Sequence, residues 1–285
     1  MQALAQPYVG ALDRAFPAVV NMQRSYDRYY ATGLYASRYP TPNPHILNLV
    51  LSELGPMGGR VLDFGCGSGR YALPLAQRPG VSVLGYDISA AAIQELGRNR
   101  EAVVRCGAPP MQLETLCGSF DDLERRLDGD EGFDLVVLLF GVLGHVERRA
   151  RRVAVLRSLS AHLRPGGRLI ATVPNRARRF LAEQEIAQAL GDDGGEEGDI
   201  RYRRGGSDNP IDLYYHLYSP AEFRGELAAA GLAVASLRPE SVLTERMVLS
   251  SRLGAATDRV LRRTLPVSLA YGLVAVAEAA PAAAR

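Results

Sequence analysis

Asp63, Gly65, Gly67 and Gly69 occupy alternate positions of VLDFGCGSGRY (61–71), an acid and three glycines at the end of an apolar run. Glycine weakens a strand interior, having no side chain to pack. It suits a sharp turn, or a place where a ligand must lie close against main chain. The pattern predicts a strand that ends at the acid and a loop that supports a ligand. A second acid, Asp87, closes the apolar run VSVLGYD (81–87). A carboxylate at the end of such a strand can accept both hydroxyls of a ribose. Loop and acid together point to an adenosine-containing ligand.

Other residues offer acid–base and binding chemistry. His145, in GVLGHV after the run FDLVVLLF (133–140), is the leading candidate to remove a proton from a substrate; a histidine making local hydrogen bonds at a helix start is the alternative. His216, beside Tyr214, Tyr215 and Tyr218, reads as half-buried and structural rather than as a base, and His45 and His162 also read as structural. YDRYYATGLYASRY (26–39) places Tyr26, Tyr29 and Tyr30 where a helix could fold over the ligand, and ring faces attract cations. Packing on a core explains any one of these rings equally well. From Glu147 to Arg179 a single acid accompanies ten arginines, at 148, 149, 151, 152, 157, 164, 168, 176, 178 and 179. Such a run suits nucleic acid, acidic substrates or a membrane surface, or is simply a solvated helix face.

The elements that position these residues alternate. PHILNLVLSEL (44–54) has helical spacing, GRVLDFG (59–65) is a short strand, and SGRYALPLAQR (68–78) is a helix with Pro74 in its first turns. VSVLGYDIS is a second strand, followed by a helix capped by Ser89. A weaker strand spans MQLETLCG (111–118). FDLVVLLFGVL is apolar on both faces, as at the centre of a parallel sheet. A helix through 147–163 precedes the strand PGGRLIATVPN (165–175). The alternation predicts an α/β fold with a doubly wound, mostly parallel sheet and right-handed crossovers. After Asn175 the rhythm breaks, and 191–210 reads as a mobile loop or lid. A helix (219–232), a strand (233–239), a helix (250–265) and a closing strand YGLVAVAE (271–278) follow. Residues 1–45 are expected to form an N-terminal helical cap, and 46–285 the main domain with 176–215 as an inserted substrate lid.

The 285 residues can bury a full core. A 47% apolar content, a net charge of +2 and a mean hydropathy of −0.05 describe a globular chain. All 33 basic residues are arginine, which excludes Schiff-base lysines and the lysine of a phosphate loop. Three cysteines without paired spacing argue against a disulfide framework or a zinc site and suggest a cytoplasmic location. MQALAQPYVGALDRAF lacks a signal pattern. The apolar stretch at 265–284 is broken by Pro266, Glu278 and Pro281, too short to span a bilayer, so no integral membrane segment is expected.

Two ligand classes compete for the glycine loop. The dinucleotide fingerprint is G-x-G-x-x-G; here the glycines alternate, and Asp63 would repel a pyrophosphate. The same acid would attract the ammonium and sulfonium end of S-adenosylmethionine, directly or through water. VLDFGCGSGR, GYDIS, FDLVVLLFGVLGHV and LRPGGRLIATVPN together resemble class I S-adenosylmethionine-dependent methyltransferases, in register over 45–175 and more loosely to 280. The resemblance implies a Rossmann-like, seven-stranded sheet with helices on both faces. It implies that Gly65, Cys66 and Gly67 contact the methionine moiety, that Asp87 and Ile88 hold ribose and adenine, and that Phe140 and Gly141 line the methyl channel. In such enzymes a helix before the sheet often covers the cofactor, which would be the role of Tyr26 and Tyr30. Where the family usually has an acid facing the adenine amino group, CGSFDDL (117–123) has Ser119, with Phe120 next; Asp121 is the alternative.

The implied activity is methyl transfer, without metal, to oxygen or nitrogen of a small-molecule acceptor. SRYPTPNPHI and YYHLYSPAEF also resemble the transfer-RNA wobble-uridine carboxymethyl methyltransferases, in which case Arg38, Tyr215 and His216 flank the substrate. Transfer RNA is therefore the alternative partner. A cofactor-binding protein of the same fold without catalysis is the third reading.

Overall fold

The computed structural model describes residues 20–190, 195–206 and 208–280. Helices α1 (Met22–Ala31), α2 (Leu34–Arg38) and α3 (Pro44–Leu54) precede the first strand. The next elements are β1 (Gly59–Phe64), α4 (Ala72–Ala76), β2 (Val81–Asp87), α5 (Ala90–Arg105), β3 (Gln112–Cys117), α6 (Phe120–Leu127) and β4 (Phe133–Leu138). A short 3-10 turn over Val142–His145 leads to α7 (Arg149–Ala161) and β5 (Leu163–Pro174). Then come α8 (Leu181–Leu190), β6 (Asp199–Arg204), β7 (Ile211–His216), α9 (Pro220–Ala229), β8 (Leu232–Ser241), α10 (Glu245–Ser250), α11 (Arg252–Thr264) and β9 (Gly272–Ala279).

Seven strands form one sheet in the order β3-β2-β1-β4-β5-β9-β8. The pairs among β1 to β5 are parallel, and β9 runs antiparallel to both β5 and β8. Val61, Leu62, Leu135, Val136 and Val137 are fully buried, because the central strands are covered on both faces. Asn43, Ser89 and Ser219 cap α3, α5 and α9 with their side chains, each accepting from a first-turn N–H. The strand order reverses beside β1, so the carboxyl ends of β1, β2 and β4 open onto the crevice where ligands of such sheets bind.

The first corrected expectation is the loop at 191–210. Within it, β6 pairs antiparallel with β7, with Ile200 opposite Tyr215 and Tyr202 opposite Leu213. DIRYRR alternates apolar and polar residues with period two, and Ile200, Tyr202, Ile211, Leu213, Tyr215 and Leu217 share a cluster with Tyr29 of α1. Residues 191–194 and 207 of that expectation, and 1–19 of the expected N-terminal cap, lie outside the described residues. Helix α1 spans the gap between hairpin and sheet. The Ser25 hydroxyl donates to the Asp212 carbonyl at 2.6 Å. On the other side, Asp27 accepts from the Ser89 hydroxyl at 2.8 Å and from the Ala91 N–H at 3.2 Å.

Candidate active site

Two cavities open at the carboxyl edge of the sheet, and Phe140 lines both. The first, of about 550 Å³, is lined by Tyr26, Tyr30, Gly65, Asp87, Ile88, Phe120, Asp121, Phe140 and His145 among others. Half of the site residues singled out from sequence thus meet in one place, while Asp63, Cys66 and Gly67 line neither cavity. The second, of about 690 Å³, takes Arg38, Tyr39, Phe140, Gly141, Arg179, Tyr215, Glu240 and Tyr271 into its wall.

The glycine loop is tied to the second strand. Gly65 and Cys66 N–H both donate to the Tyr86 carbonyl, at 2.7 and 2.9 Å. Gly67 N–H donates to Asp87 Oδ2 at 2.8 Å, and Ser89 N–H donates to Oδ1 at 2.9 Å. Each Asp87 oxygen keeps a further lone pair for a ligand hydroxyl. Gly67 has φ 55°, and a Cβ there would run into the Tyr30 hydroxyl, so the loop and the aromatic helix are fitted together. Cys66 turns its buried thiol toward Gly85 and offers the site main chain only.

Asp63 lies behind the loop, 2% exposed, and its Oδ2 has no hydrogen-bond partner. Burial and the neighbouring Asp87 push its carboxyl up to about 7. Burial likewise raises Asp87 to about 6, against the hydrogen bonds from Ser89 and Gly67. A buried carboxyl with an orphaned oxygen is stabilised by a cation or a donor brought to it. That fits the ammonium-bearing cofactor expected from the sequence, reached directly or through a water.

Ser119 is the second correction. Its hydroxyl caps α6, donating to Asp122 Oδ2 at 2.7 Å and accepting from Asp122 N–H at 3.3 Å. Asp121, two residues on, lines the cavity with Phe120. The serine's capping box (Ser119 with Asp122) explains why it occupies that position.

His145 is fully engaged. Its Nδ1–H donates to the Tyr214 carbonyl at 2.8 Å, leaving Nε2 to accept the Tyr26 hydroxyl proton at 2.7 Å. Burial lowers it to about 4, so it is neutral in ordinary buffers. Its ring stacks on Tyr215 with centroids 4.3 Å apart. Gly141 and Gly144 make room for that tyrosine, since a Cβ at either would collide with its ring or hydroxyl.

His216 is the third correction: its side chain is completely buried and lines neither cavity. Alternation along β7 sends Tyr215 toward the site and His216 away from it. Its Nδ1 pairs with Asp199 at 2.6 Å and its Nε2 with Glu222 at 3.0 Å. Burial opposes its charge, but these two partners outweigh that and raise it above its ordinary value. Glu196, Asp199, His216, Glu222 and Glu226 have the residue types of a metal site. Arg152 already supplies the cation, reaching Glu196 and Glu226 at 2.7 Å each, so the group is an ionic core. Arg152 is also the fourth correction, a buried residue within a run read as a surface. Three others of the ten are ion-paired: Arg164 with Asp134, Arg168 with Glu53, and Arg176 with Glu197.

Asp27, Arg179 and Glu240 were not legible in the sequence. Asp27 stands in the tyrosine-rich stretch with nothing to mark its partner on α5. Arg179 was one arginine of ten, and Glu240 one acid in a strand.

Residues 35–237 match the family model described as a methyltransferase domain. The chain is 37% identical over 136 residues to a ubiquinone biosynthesis O-methyltransferase of Alkalilimnicola ehrlichii, covering 47% of this chain and 49% of that protein. It is 29% identical over 171 residues to a probable tRNA methyltransferase 9B of Bos taurus, covering 59% of this chain and 33% of that protein. The chain thus matches about half or less of the length of these relatives. The CcbJ methyltransferase of Streptomyces caelestis superposes with a TM-score of 0.58 at 19% identity, over 85% of this chain and 91% of that one. A DhpI–SAH complex superposes with a TM-score of 0.52 at 22% identity, over 92% and 98%. At these identities the likeness is one of fold.

Proposed function

This chain belongs to the methyltransferase-domain family, and from that premise we propose that it transfers the methyl group of S-adenosylmethionine to oxygen or nitrogen of a small-molecule acceptor. The observation that carries the reading is the pair of cavities meeting at Phe140, one walled by the adenosine-type residues and one by aromatic and charged side chains. When bound, the cofactor supplies an electrophilic methyl group. Asp87 receives the ribose hydroxyls, Ile88 and Phe120 enclose the base beside Asp121, and Asp63 attracts the cationic end. Helices α1 and α2 act as the cap and the β6–β7 hairpin as the lid, excluding water. Alignment of acceptor and methyl group in such a closed site is worth roughly 7–11 kcal/mol of the barrier.

Tyr26 and His145 form the base: the acceptor's proton passes to the Tyr26 oxygen as the Tyr26 proton moves to His145 Nε2. The reducing cytoplasm suits its free cysteines, Cys66, Cys106 and Cys117, and among the described residues no helix is long and apolar enough to cross a membrane. The likeness to the tRNA methyltransferase 9B keeps RNA as the second reading. The burial of Arg152 and the ion pairs of Arg164, Arg168 and Arg176 take four of the ten arginines out of a free basic face, which supports the small molecule. The test is calorimetry with S-adenosylmethionine and NAD, followed by an assay for released S-adenosylhomocysteine with candidate acceptors. Tighter binding of NAD overturns the cofactor assignment, and binding without turnover on any acceptor supports a non-catalytic protein.

A further inference from the structure

Among the described residues Arg179 has no ion pair, although it lines the second cavity. Its buried Nε has no hydrogen-bond partner. The guanidinium is instead bracketed by rings, 4.9 Å from the Tyr271 centroid, 5.3 Å from Phe180 and 5.9 Å from Tyr215. Neighbouring arginines are matched: Arg70 with Glu245 and the Thr41 carbonyl, Arg178 with the Leu269 carbonyl. Ring faces attract a guanidinium but leave its fork of donors unsatisfied.

The placement of Arg179 is built into the fold. It follows β5 at the carboxyl edge of the sheet, where Asn175 is completely buried. The Asn175 carbonyl accepts from Arg178 and Arg179 N–H, and its Nδ2 donates to the Ser268 and Ala270 carbonyls. Phe180, next in the chain, has φ 54°, and Phe140 in the same cavity region has φ 61°. Non-glycine residues held there cost free energy and concentrate at ligand sites.

Glu240 lines the same cavity. Burial and the nearby Glu245 push its carboxyl up to about 8, against the opposing pull of Arg179, Arg70 and a hydrogen bond with Thr172. Burial thus favours its protonated, donor form, and among the described residues no ion pair joins it to Arg179.

Resting on the methyl-transfer reading above, we propose that Arg179 is the receptor for a carboxylate on the acceptor, which makes the acceptor class carboxylic acids with an aromatic or apolar body. The fork matches two carboxylate oxygens, and the protonated Glu240 is a third donor in the same cavity. Tyr39, Phe140, Tyr215 and Tyr271 wall the space for the body. Arg38 and Arg246 also line this cavity, so inorganic phosphate is the competing anion, and titration decides between the two.

Calorimetric titration of the chain, with and without S-adenosylhomocysteine, with benzoate, benzamide and inorganic phosphate in separate arms, tests this. Benzoate should bind the wild type at least about tenfold more tightly than benzamide, and Arg179→Gln should remove that advantage. Arg179→Lys, which keeps charge without the fork, should restore part of it. Unchanged affinity of the variants for S-adenosylhomocysteine shows that they are folded. Benzoate binding no better than benzamide in the wild type, or undiminished in a folded Arg179→Gln protein, overturns the proposal. Phosphate binding more tightly than benzoate overturns the carboxylate class. Failure to bind S-adenosylhomocysteine strikes the methyl-transfer reading instead, and the arms without it still decide Arg179.

Discussion

Arg152 offers a sharp test of the energetics, because a run of arginines conceals a residue that is 0% exposed. Its Nη2 donates to Glu226 at 2.7 Å and to Glu196 at 2.7 Å, its Nε lies 3.1 and 3.2 Å from the two Glu226 oxygens, and its guanidinium covers the Tyr218 ring at 5.5 Å. Arg152→Met keeps much of the packing volume and deletes the charge. Glu226, also 0% exposed, would then retain, among the described residues, the Tyr218 hydroxyl at 3.2 Å as its side-chain donor. Removing one partner of a buried pair costs about 3–5 kcal/mol, because the other charge is left uncompensated. At about 2–4 °C per kcal/mol for large domains, Tm should fall by roughly 6–20 °C. Arg152→Met with Glu226→Leu removes both charges and should recover most of the loss, since such replacements are often neutral. Scanning calorimetry on the two variants decides it. A fall below about 2 °C for the single variant, or a double variant no better than the single, would refute the account of a closed ionic core.

Other expectations follow from the site. Asp87→Asn should weaken S-adenosylmethionine binding by about 1.5–3 kcal/mol in calorimetry, because one acceptor oxygen becomes a donor facing the Gly67 or Ser89 N–H. His145→Ala should lower turnover by about 10²–10⁴ with cofactor affinity nearly intact; a loss under about threefold would leave it a structural role. With His145 lowered to about 4, the base is neutral from mildly acid pH upward, so kcat should show no histidine inflection near 6.5. Asp63 and Asp87 are raised in the folded state, to about 7 and about 6, so folding favours their protonated forms and stability is lost as pH rises from about 4 through 7. His216, raised by its two carboxylates, contributes stability below its unfolded value that is lost as pH passes its folded value. Glu240, raised to about 8, acts in the same direction, whereas His145 and His45, lowered to about 4, oppose it below their ordinary value of about 6.5. Melts of the free protein should therefore show Tm falling from about pH 6.5 to about pH 8, less steeply in Asp63→Asn, and a rising Tm there would contradict this. Binding of bulk transfer RNA should be no tighter than micromolar near physiological salt. A steep salt slope that disappears when Arg148, Arg149 and Arg151 become alanine would favour the RNA reading; Arg152 must be spared, because its loss destabilises the fold.

The sheet was legible because its signals are local: apolar runs of strand length, a glycine loop, Ser89 before a helix. Part of the lining of the first cavity was legible for the same reason, since Gly65, Asp87 and Phe140 stand at or just past strand ends and His145 closes the short turn after β4. What escaped depended on partners distant in the chain. DIRYRR carried a strand pattern, but the Gly, Asp and Glu before it and the Gly after it hid a six-residue alternation. Arg152 looks like its neighbours in sequence, and only the arrival of α9 with Glu226 and of the hairpin's approach with Glu196 makes it buried. Ser119 was read against a ligand, whereas Asp122 three residues on had already claimed its hydroxyl. Arg179 was invisible as an unpaired cation because pairing is a property of the assembled cavity.

The β7 strand joins these parts, and its period of two is the reason. Tyr214 and His216 point to one side, where both reach Asp199 at 2.6 Å and His216 continues to Glu222 on α9. Tyr215 points to the other side, stacking on His145 and facing the Arg179 guanidinium, while the Tyr214 carbonyl fixes the His145 tautomer. The ionic core therefore anchors the strand whose opposite face positions both His145 and Arg179. Position errors of even 1 Å in such groups can cost a hundredfold in rate. In the proposed methyl transfer, a polar cluster that lines neither of these two cavities would act on the chemistry through geometry, by fixing the strand that carries Tyr215.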